Sequence, residues 1–258
     1  MTEHTNRQFS ADLEAVRSQF LEMGGIVETM IQDAVEALQT GDLALVERVR
    51  DHEREVNRHE VEIDERIGLL IARHQPTAVD LRTLLSVSKM LTDMERCGDE
   101  AEKIAKVARR LHEANSLYEP VVELRHMGKG VSLMIRDMLD SFARHDPMQA
   151  AAVVRSDREV DKEWKAALRH MVTYMIEDPR GISKSIELVF IARALERIGD
   201  HAKNMAERVI YLVRGDDVRH TGLKYTERAA RGELAEEPLG GGLGVPAATA
   251  APDAAPEN

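Results

Sequence analysis

The chain has 258 residues, of which 43% are apolar, 3% are aromatic and 31% are charged. This length suffices for one large or two modest hydrophobic cores, and a composition rich in Ala, Leu, Val, Met, Glu and Arg favours helices over strands. The formal charge of −11 argues against nucleic acid as a partner, because proteins that bind it present a basic surface to the phosphate backbone.

Three features of the sequence predict a cytoplasmic protein. The single cysteine, Cys97, excludes an intramolecular disulfide, and the N-terminal stretch "MTEHTNRQFS" lacks the apolar core of a signal peptide. No window approaches about eighteen uninterrupted apolar residues, so we expect no membrane span. Contact with the cytoplasmic face of a membrane protein stays open.

Three helices are predicted in the first half of the chain, after a disordered segment at residues 1–8. Apolar residues recur at helical spacing, and the interruptions are short. "TGD" at 40–42 offers a helix-ending glycine and an N-cap aspartate, and "HQPT" at 74–77 ends the next helix. The predicted helices span about residues 9–38, 43–73 and 78–113. They would form a three-helix bundle over residues 9–116.

The same pattern restarts after a connector at residues 114–120. "HDP" at 145–147 and "DPRG" at 178–181 separate three further helices, which end at about residues 143, 177 and 213. These helices predict a second three-helix bundle over residues 117–214. The remainder, 215–258, is rich in Gly, Pro and Ala without a helical period, and we expect it to be mostly disordered.

A direct comparison of the two halves indicates an internal duplication. The 35 residues that start at Met23 and the 35 that start at Met127 share eleven identities without a gap. "MERCGDEAEKIAK" at 94–106 and "LERIGDHAKNMAE" at 195–207 share six of thirteen residues. The sequence therefore predicts an all-α fold made of a tandem pair of three-helix bundles.

The duplicated motif carries two acids four residues apart, Glu95 and Asp99 in one copy and Glu196 and Asp200 in the other. Like charges at this spacing destabilise a helix, so each pair calls for a counter-charge. A glycine precedes the second acid in each copy, Gly98 or Gly199. Since glycine weakens a helix interior, we expect another backbone or a ligand to approach closely there.

The middle helix of each half adds further oxygen side chains at compatible spacing. They are Glu53, Asn57, Glu60 and Asp64 in the first half, and Asp157 and Asp161 in the second. If the middle and last helices pack antiparallel, each bundle gathers an oxygen-rich cluster suited to Mg²⁺, Mn²⁺, Ca²⁺ or iron. The alternative is a solvated helix face whose acids are answered by nearby arginines such as Arg96 and Arg197.

No enzyme class is indicated. A ferritin-type diiron oxidase needs two Glu-x-x-His motifs in one bundle, and the sequence contains one, Glu123 to His126. We find no Ser/His/Asp arrangement and no glycine-rich phosphate loop that follows a strand. The sequence thus offers metal ligands without an evident nucleophile, base or substrate cradle.

The segments "ERCGDEAEKIA", "ERIGDHAKNMA", "HEREVNRHEVEIDE", "IARHQPTAVDLR", "TYMIEDPR" and "VIYLVRGDDVRH" together resemble the PhoU family of phosphate-transport accessory proteins, over about residues 8–221. The resemblance implies two related three-helix bundles, a homodimer, and sites for iron, zinc, manganese or magnesium. The implied metal ligands are Glu53, Asn57, Glu60, Asp64, Glu95 and Asp99 in the first half, and Asp157, Asp161, Glu196 and Asp200 in the second.

Two departures from the family pattern fall in the first half. Lys103 stands where the second half has Asn204, and its ammonium is placed to neutralise the acids near Asp99. Asn57 replaces an acid of the second half, Asp161. We therefore expect the second half to hold metal more strongly than the first.

The resemblance also implies a regulatory function without catalysis. Such a protein would be a negative regulator of the phosphate-starvation response and of phosphate uptake. Its partners would be a sensor histidine kinase and the ATPase subunit of the ABC phosphate importer, so it would lie at the periphery of membrane complexes. The competing hypothesis is a metal-storing or metal-dependent helical protein whose carboxylates perform chemistry.

Overall fold

The computed structural model describes residues 2–114 and 121–234, and the secondary structure in these ranges is entirely helical. The α-helices are α1 (Thr2–Thr40), α2 (Leu43–His74), α3 (Ala78–Glu113), α4 (Val121–Arg144), α5 (Pro147–Glu177), α6 (Ile182–Arg214) and α7 (Leu223–Arg231), and a short 3₁₀ helix (Pro179–Gly181) precedes α6. Helices α1 to α3 pack on one another, as do α4 to α6. The prediction of an all-α tandem pair of three-helix bundles is confirmed.

The helix ends follow from capping chemistry that the sequence already displayed. Gly41 adopts a left-handed conformation with φ of 71°, and the Asp42 carboxylate then accepts the backbone N–H of Ala44 at 2.8 Å. In the second half, Asp146 accepts the N–H groups of Met148 and Gln149, with Pro147 in the first turn of α5. These turns are tight, so consecutive helices run antiparallel side by side.

The two bundles share one core instead of standing apart. Helix α3 packs on α6, and α1 packs on α4. The rings of Phe20 and Phe142, one from each half, meet edge to face with centroids 5.2 Å apart. Both rings are fully buried within a hydrophobic cluster that extends through both bundles. The core therefore sits across the junction as well as inside each bundle.

Equivalent contacts between α1 and α4 show that the two halves are related by an approximate two-fold axis. A Cβ on Gly24 would lie 2.3 Å from Cδ2 of Leu139, and one on Gly128 would lie 2.6 Å from Cγ2 of Val35. In the alignment of the two halves, Gly24 corresponds to Gly128 and Val35 corresponds to Leu139, so the two contacts are equivalent. The two copies of one sequence segment thus pack antiparallel against each other.

Two segments that the sequence predicted to be disordered are helical. Helix α1 begins at Thr2, within the segment 1–8, because no glycine or proline interrupts this stretch before Phe9, which is buried with its ring centroid 5.3 Å from that of His74. Helix α7 forms within the predicted tail because Thr226, Ala229 and Ala230 are buried where it packs on α5 and α6. The predicted connector 115–120 and the rest of the tail, 235–258, lie outside the described residues.

Candidate functional site

The two duplicated motifs cross each other at the centre of the molecule. The thiol of Cys97 on α3 lies 4.0 Å from the carbonyl oxygen of Ile198 on α6. Cys97 is fully buried, and burial first, then the charges of Asp93, Glu100 and Glu95, raise the pKa of its thiol. This cysteine is thus an inert core residue, and the motif acids lie to either side of the crossing.

In the first half, the structure brings the acids of α2 and α3 together. Burial first, then the charges of Asp99, Glu60 and Glu53, raise the pKa of Glu95, against the opposing effect of Arg96. The pKa of Glu60 is likewise raised by burial and then by Asp64 and Asp99. Mutual repulsion of this kind requires that the carboxylates lie close to one another. We call Glu53, Glu60, Asp64, Glu95 and Asp99 the first cluster.

The first cluster has hydrogen-bond donors but no cationic partner. Asn57 donates its side-chain amide to Glu53, and the hydroxyl of Ser88 donates to Asp64 at 3.2 Å. Within the described residues, no lysine or arginine nitrogen lies within 4.0 Å of the five carboxylates. The expectation that Lys103 neutralises Asp99 is wrong, since its ammonium lies 3.1 Å from Glu100.

The acids of the second half also converge, between α5 and α6. We call Asp157, Asp161, Glu196 and Asp200 the second cluster. Burial first, then the charges of Asp200, Asp161 and Asp157, raise the pKa of Glu196, while Arg193 opposes the shift. The pKa of Asp200 is also raised by burial, Asp157 and Asp161, against Lys203 and Arg193.

The second cluster differs from the first because the chain supplies its own cations. The ammonium of Lys203 lies 2.7 Å from Asp157, and the guanidinium of Arg193 lies 2.5 Å from Glu196. Burial acts against the charged form of Lys203, but the hydrogen bond and charge of Asp157, together with the charges of Glu207 and Asp200, outweigh it and raise the pKa of the ammonium.

Aligning the repeats explains this difference residue by residue. Glu102 occupies in the first half the position of Lys203, and it is bound to Lys106 at 2.7 Å. Trp164 and Leu168 occupy in the second half the positions of Glu60 and Asp64. The first cluster therefore has more acids, and fewer cations of the chain paired with them, than the second.

The chemistry of these side chains, though not their arrangement in the structure, suits an oxygen-preferring cation. Carboxylates predominate in both clusters, and Oε2 of Glu196 is buried without a hydrogen-bond partner in the structure. Such a buried, unpaired carboxylate oxygen is costly unless a cation or donor reaches it. No group of three or more His, Cys, Asp or Glu side chains in residues 2–114 and 121–234 is arranged to hold a metal ion. Metal binding by the ten predicted residues thus stays a prediction.

The motif glycines allow a close approach, but not of the kind expected. A Cβ on Gly98 would lie 3.3 Å from Cγ1 of Val56, and one on Gly199 would lie 3.4 Å from Cγ1 of Val160. In each half, a valine of the middle helix therefore packs against the glycine, where we expected a backbone or a ligand. The contact sets the distance between the two helices that carry each cluster.

The cations that pair with these acids were not predicted from the sequence. It proposed the motif arginines, but Arg197 lies 2.9 Å from Glu100 on the other repeat. The decisive cation is Lys203, and the aligned repeats do not single it out, because a lysine is aligned with a glutamate both there and at Lys106 and Glu207. Glu123 and His126, the lone diiron-like pair, bind His170 and Glu163 instead of each other, at 2.9 and 2.7 Å.

The duplicated helices and motifs match a known protein family twice. The model of the PhoU domain matches residues 20–108 and again residues 124–209. The chain belongs to the PhoU family. The two matches coincide with the two bundles, so each bundle is one copy of the PhoU domain.

Curated PhoU-family relatives are similar along nearly their whole length. The phosphate-specific transport system accessory protein PhoU homolog of Pseudomonas putida is 50% identical over 224 residues, which cover 87% of this chain and 88% of the relative. The phosphate-specific transport system accessory protein PhoU of Escherichia coli K12 is 40% identical over 223 residues, which cover 86% of this chain and 92% of that protein.

Solved PhoU structures share the fold. The crystal structure of PhoU from Pseudomonas aeruginosa superposes with a TM-score of 0.79 at 49% identity, and it covers 81% of this chain and all of that one. The phosphate transport system regulatory protein PhoU from Streptococcus pneumoniae gives a TM-score of 0.75 at 28% identity, with 81% and 99% covered. Within residues 2–114 and 121–234, none of the helices combines the length and the apolar content that a membrane-spanning segment needs.

Proposed function

We propose that this PhoU-family chain is a negative regulator of the phosphate-starvation response and of phosphate uptake. The observation that carries the proposal is the 50% identity to a phosphate-specific transport system accessory protein over nearly the full length of both chains. Identity at this level extends through both motifs and both bundles, so it supports a shared function as well as a shared fold.

The proposed role is that of a non-catalytic, homodimeric cytoplasmic adaptor. It would link the ATPase subunit of the ABC phosphate importer to a sensor histidine kinase. The long helices support this role, because they present extended faces with exposed apolar side chains such as Ile176 and Phe190. Helix faces of this kind dock partner helices or domains.

We further propose that a metal ion, of the manganese, magnesium, iron or zinc class, binds the first cluster more tightly than the second. Among the residues that the structure describes, no lysine or arginine pairs with the first cluster, whereas Lys203 and Arg193 pair with acids of the second. A metal ion would relieve the repulsion that raises the pKa values of Glu60 and Glu95.

Deleting the gene tests the regulatory function. In phosphate-rich medium, the deletion strain should express alkaline phosphatase and other starvation genes at the level of starved cells, and the wild-type gene on a plasmid should restore repression. Repression that persists in the deletion strain, with the kinase intact, would disprove the proposal.

Matched double variants test the metal assignment. Glu95→Gln with Asp99→Asn should lower the affinity of the purified protein for Mn²⁺ by more than about tenfold, because it removes two ligand charges from the uncompensated cluster. Glu196→Gln with Asp200→Asn, the equivalent pair, should change the tightest Mn²⁺ affinity by less than about threefold. Equal losses in the two variants would contradict the ranking.

The competing function, metal storage or metal-dependent chemistry, is favoured by one observation, the nine carboxylates that the structure gathers in two clusters. The same double variants separate it from regulation. If both fold and still restore repression in the deletion strain, the acids are dispensable for regulation and their role lies with the metal itself. If repression is lost together with metal binding, the metal serves the regulator.

A further inference from the structure

The crossing of α3 and α6 leaves a groove on each side, and the two grooves are related by the internal duplication. One groove has a volume of about 300 Å³ and is lined by the C-terminal part of α3 and the N-terminal part of α6. The other has about 530 Å³ and is lined by the opposite parts of the same helices, together with residues 219–221 after α6. We call them the small groove and the large groove.

Each groove is lined by five lysines or arginines, but they are paired differently. In the small groove every cation contacts a carboxylate: Lys103 and Arg197 bind Glu100, Lys106 binds Glu102, Arg110 binds Glu187 and Arg193 binds Glu196, at 2.5 to 3.1 Å. The small groove is therefore an internally neutralised surface.

The large groove keeps three of its five cations unpaired. Lys203 is bound to Asp157, and Arg219 is bound to Asp217. Lys89, Arg96 and Arg208 have no carboxylate oxygen within 4.0 Å among the described residues. Of the two acids that line this groove, Asp93 is already bound to His201 at 2.8 Å, and Glu207 makes no ion pair in the described part of the chain.

Arg208 is the member of this set that most requires a partner. Its side chain is half-buried, and burial first, then the neighbouring guanidinium of Arg219, lower its pKa, while Asp217 and Asp93 act in the opposite direction. The guanidinium groups of Arg208 and Arg219 face a shared cavity and repel each other, and Asp217, which is bound to Arg219, reduces this repulsion but makes no ion pair with Arg208. An anion in the cavity would bridge them and remove that cost.

The chemistry of the lining specifies the anion. Guanidinium groups bind tetrahedral oxyanions through paired N–H donors, and a lysine adds a point charge. Thr92 and Asn204 line the same cavity and add neutral donors. A volume of about 530 Å³ exceeds the needs of a single small ion and lies in the range of small-molecule sites.

We propose that the large groove binds a phosphate-type oxyanion, either free inorganic phosphate or the phosphoryl group of a nucleotide, through Arg96, Arg208 and Lys89. None of the carboxylates of the two clusters lines this groove, although Lys203, which does, is bound to Asp157 of the second cluster. It does not rest on the proposed regulatory function, because its evidence is the pairing of charges within the chain.

Titration calorimetry on the purified full chain tests this site, with EDTA present throughout so that metal ions cannot hold the anion. The probes are inorganic phosphate and ATP. Arg96→Gln and Arg208→Gln should each weaken binding at least about tenfold, because each removes a charged donor. Arg197→Gln is the matched control, since Arg197 occupies the equivalent position in the other repeat and lines the small groove, and it should change binding less than about twofold.

The two probes identify the source of the anion. Saturable binding of inorganic phosphate that ATP does not displace assigns free phosphate, and tighter binding of ATP assigns a nucleotide. A protein that binds neither probe, or an Arg197→Gln variant that loses as much affinity as Arg96→Gln, overturns the proposal. If Arg208→Gln fails to give the wild-type circular dichroism spectrum, the exposed Arg96 decides the result alone. Loss of repression in cells does not enter this measurement, so the regulatory proposal stands or falls separately.

Discussion

Glu207 on α6 illustrates how a single buried carboxyl makes stability depend on pH. Its side chain is 8% exposed, and burial raises its pKa to about 7. The charges of Asp157 and Asp217 add to the shift, whereas Lys203 and Arg208 reduce it. Between its ordinary pKa of 4.5 and about 7, the folded protein holds a proton that the unfolded chain releases. Stability is therefore lost as the pH rises through this window.

We predict that Glu207→Gln stabilises the protein at pH 8 by up to about 3 kcal/mol and has little effect at pH 5. The amide resembles the protonated acid, so the variant does not incur the cost of ionising a buried group. Urea unfolding at the two pH values measures the difference. Glu65→Gln, at an exposed position on α2, is the control and should show no pH-dependent change. A gain for Glu207→Gln that is equal at both pH values would contradict the assigned pKa.

The acids at the site could be predicted from sequence, whereas their partners could not. The spacing and repetition of Glu95, Asp99, Glu196 and Asp200 sufficed to place them on one face of each bundle. Whether a lysine reaches them depends on rotamers and on neighbouring helices. Lys103 and Lys203 are one position apart in the aligned motif, which is about 100° of helix rotation, and only Lys203 points at the cluster.

At the scale of helices, α1 and α4 approach closely because each has a glycine opposite a branched side chain of the other. The two contacts are equivalent in position but not in stiffness. Opposite Gly24 stands the flexible end of Leu139, whereas opposite Gly128 stands Val35, whose Cβ and both methyl groups would lie within 3.3 Å of an added Cβ. A β-branched side chain has few alternative rotamers in a helix.

This asymmetry predicts the order of three glycine-to-alanine variants. Gly128→Ala should destabilise the protein by about 1 to 3 kcal/mol, because Val35 cannot move aside. Gly24→Ala should cost less, since Leu139 can change rotamer. Gly25→Ala has no atom within 4 Å of the new methyl group and should stabilise α1 by up to about 1 kcal/mol through helix propensity. Thermal or urea unfolding ranks the three, and a Gly25→Ala variant less stable than Gly128→Ala would contradict the packing.

The helices themselves were largely predictable, and the exceptions have a common cause. Asp42, Asp146 and Gly215 mark helix ends by local chemistry, so the predicted ends of α2 to α6 fell within a residue or so of those observed. Helix α7 has nine residues, too few to be stable alone. It depends on contacts such as the ion pair between Arg155 and Glu227, which no local pattern reveals.

At the scale of the whole molecule, the shared core makes the two PhoU domains one folding unit. Separating them would expose Phe20, Phe142 and the α3–α6 crossing, all of which are buried. The free energy gained by burying this apolar surface therefore belongs to both halves at once. The sequence predicted the two bundles but not that each needs the other for stability. Residues buried between the bundles follow the same apolar spacing as residues buried inside each bundle, so the pattern does not distinguish them.

We predict a single cooperative unfolding transition. Trp164, the sole tryptophan of the chain, lies on α5 and reports on the second half, whereas circular dichroism reports on all helices. Urea titrations followed by the two methods should give coincident midpoints. A tryptophan transition displaced from the circular dichroism transition would show that the halves unfold independently.

Because only one half contains Lys203, the two halves differ in how they depend on ions in solution. In one half the counter-ion is covalently part of the chain, so it cannot be diluted, chelated or exchanged. In the other, the equivalent place belongs to Glu102, and the proposed counter-ion must come from solution. When dissolved metal becomes scarce, we expect one half to keep its geometry while the other loosens. One half of the duplicated fold would then keep its structure, while the structure of the other half would change with the metal concentration in the cell.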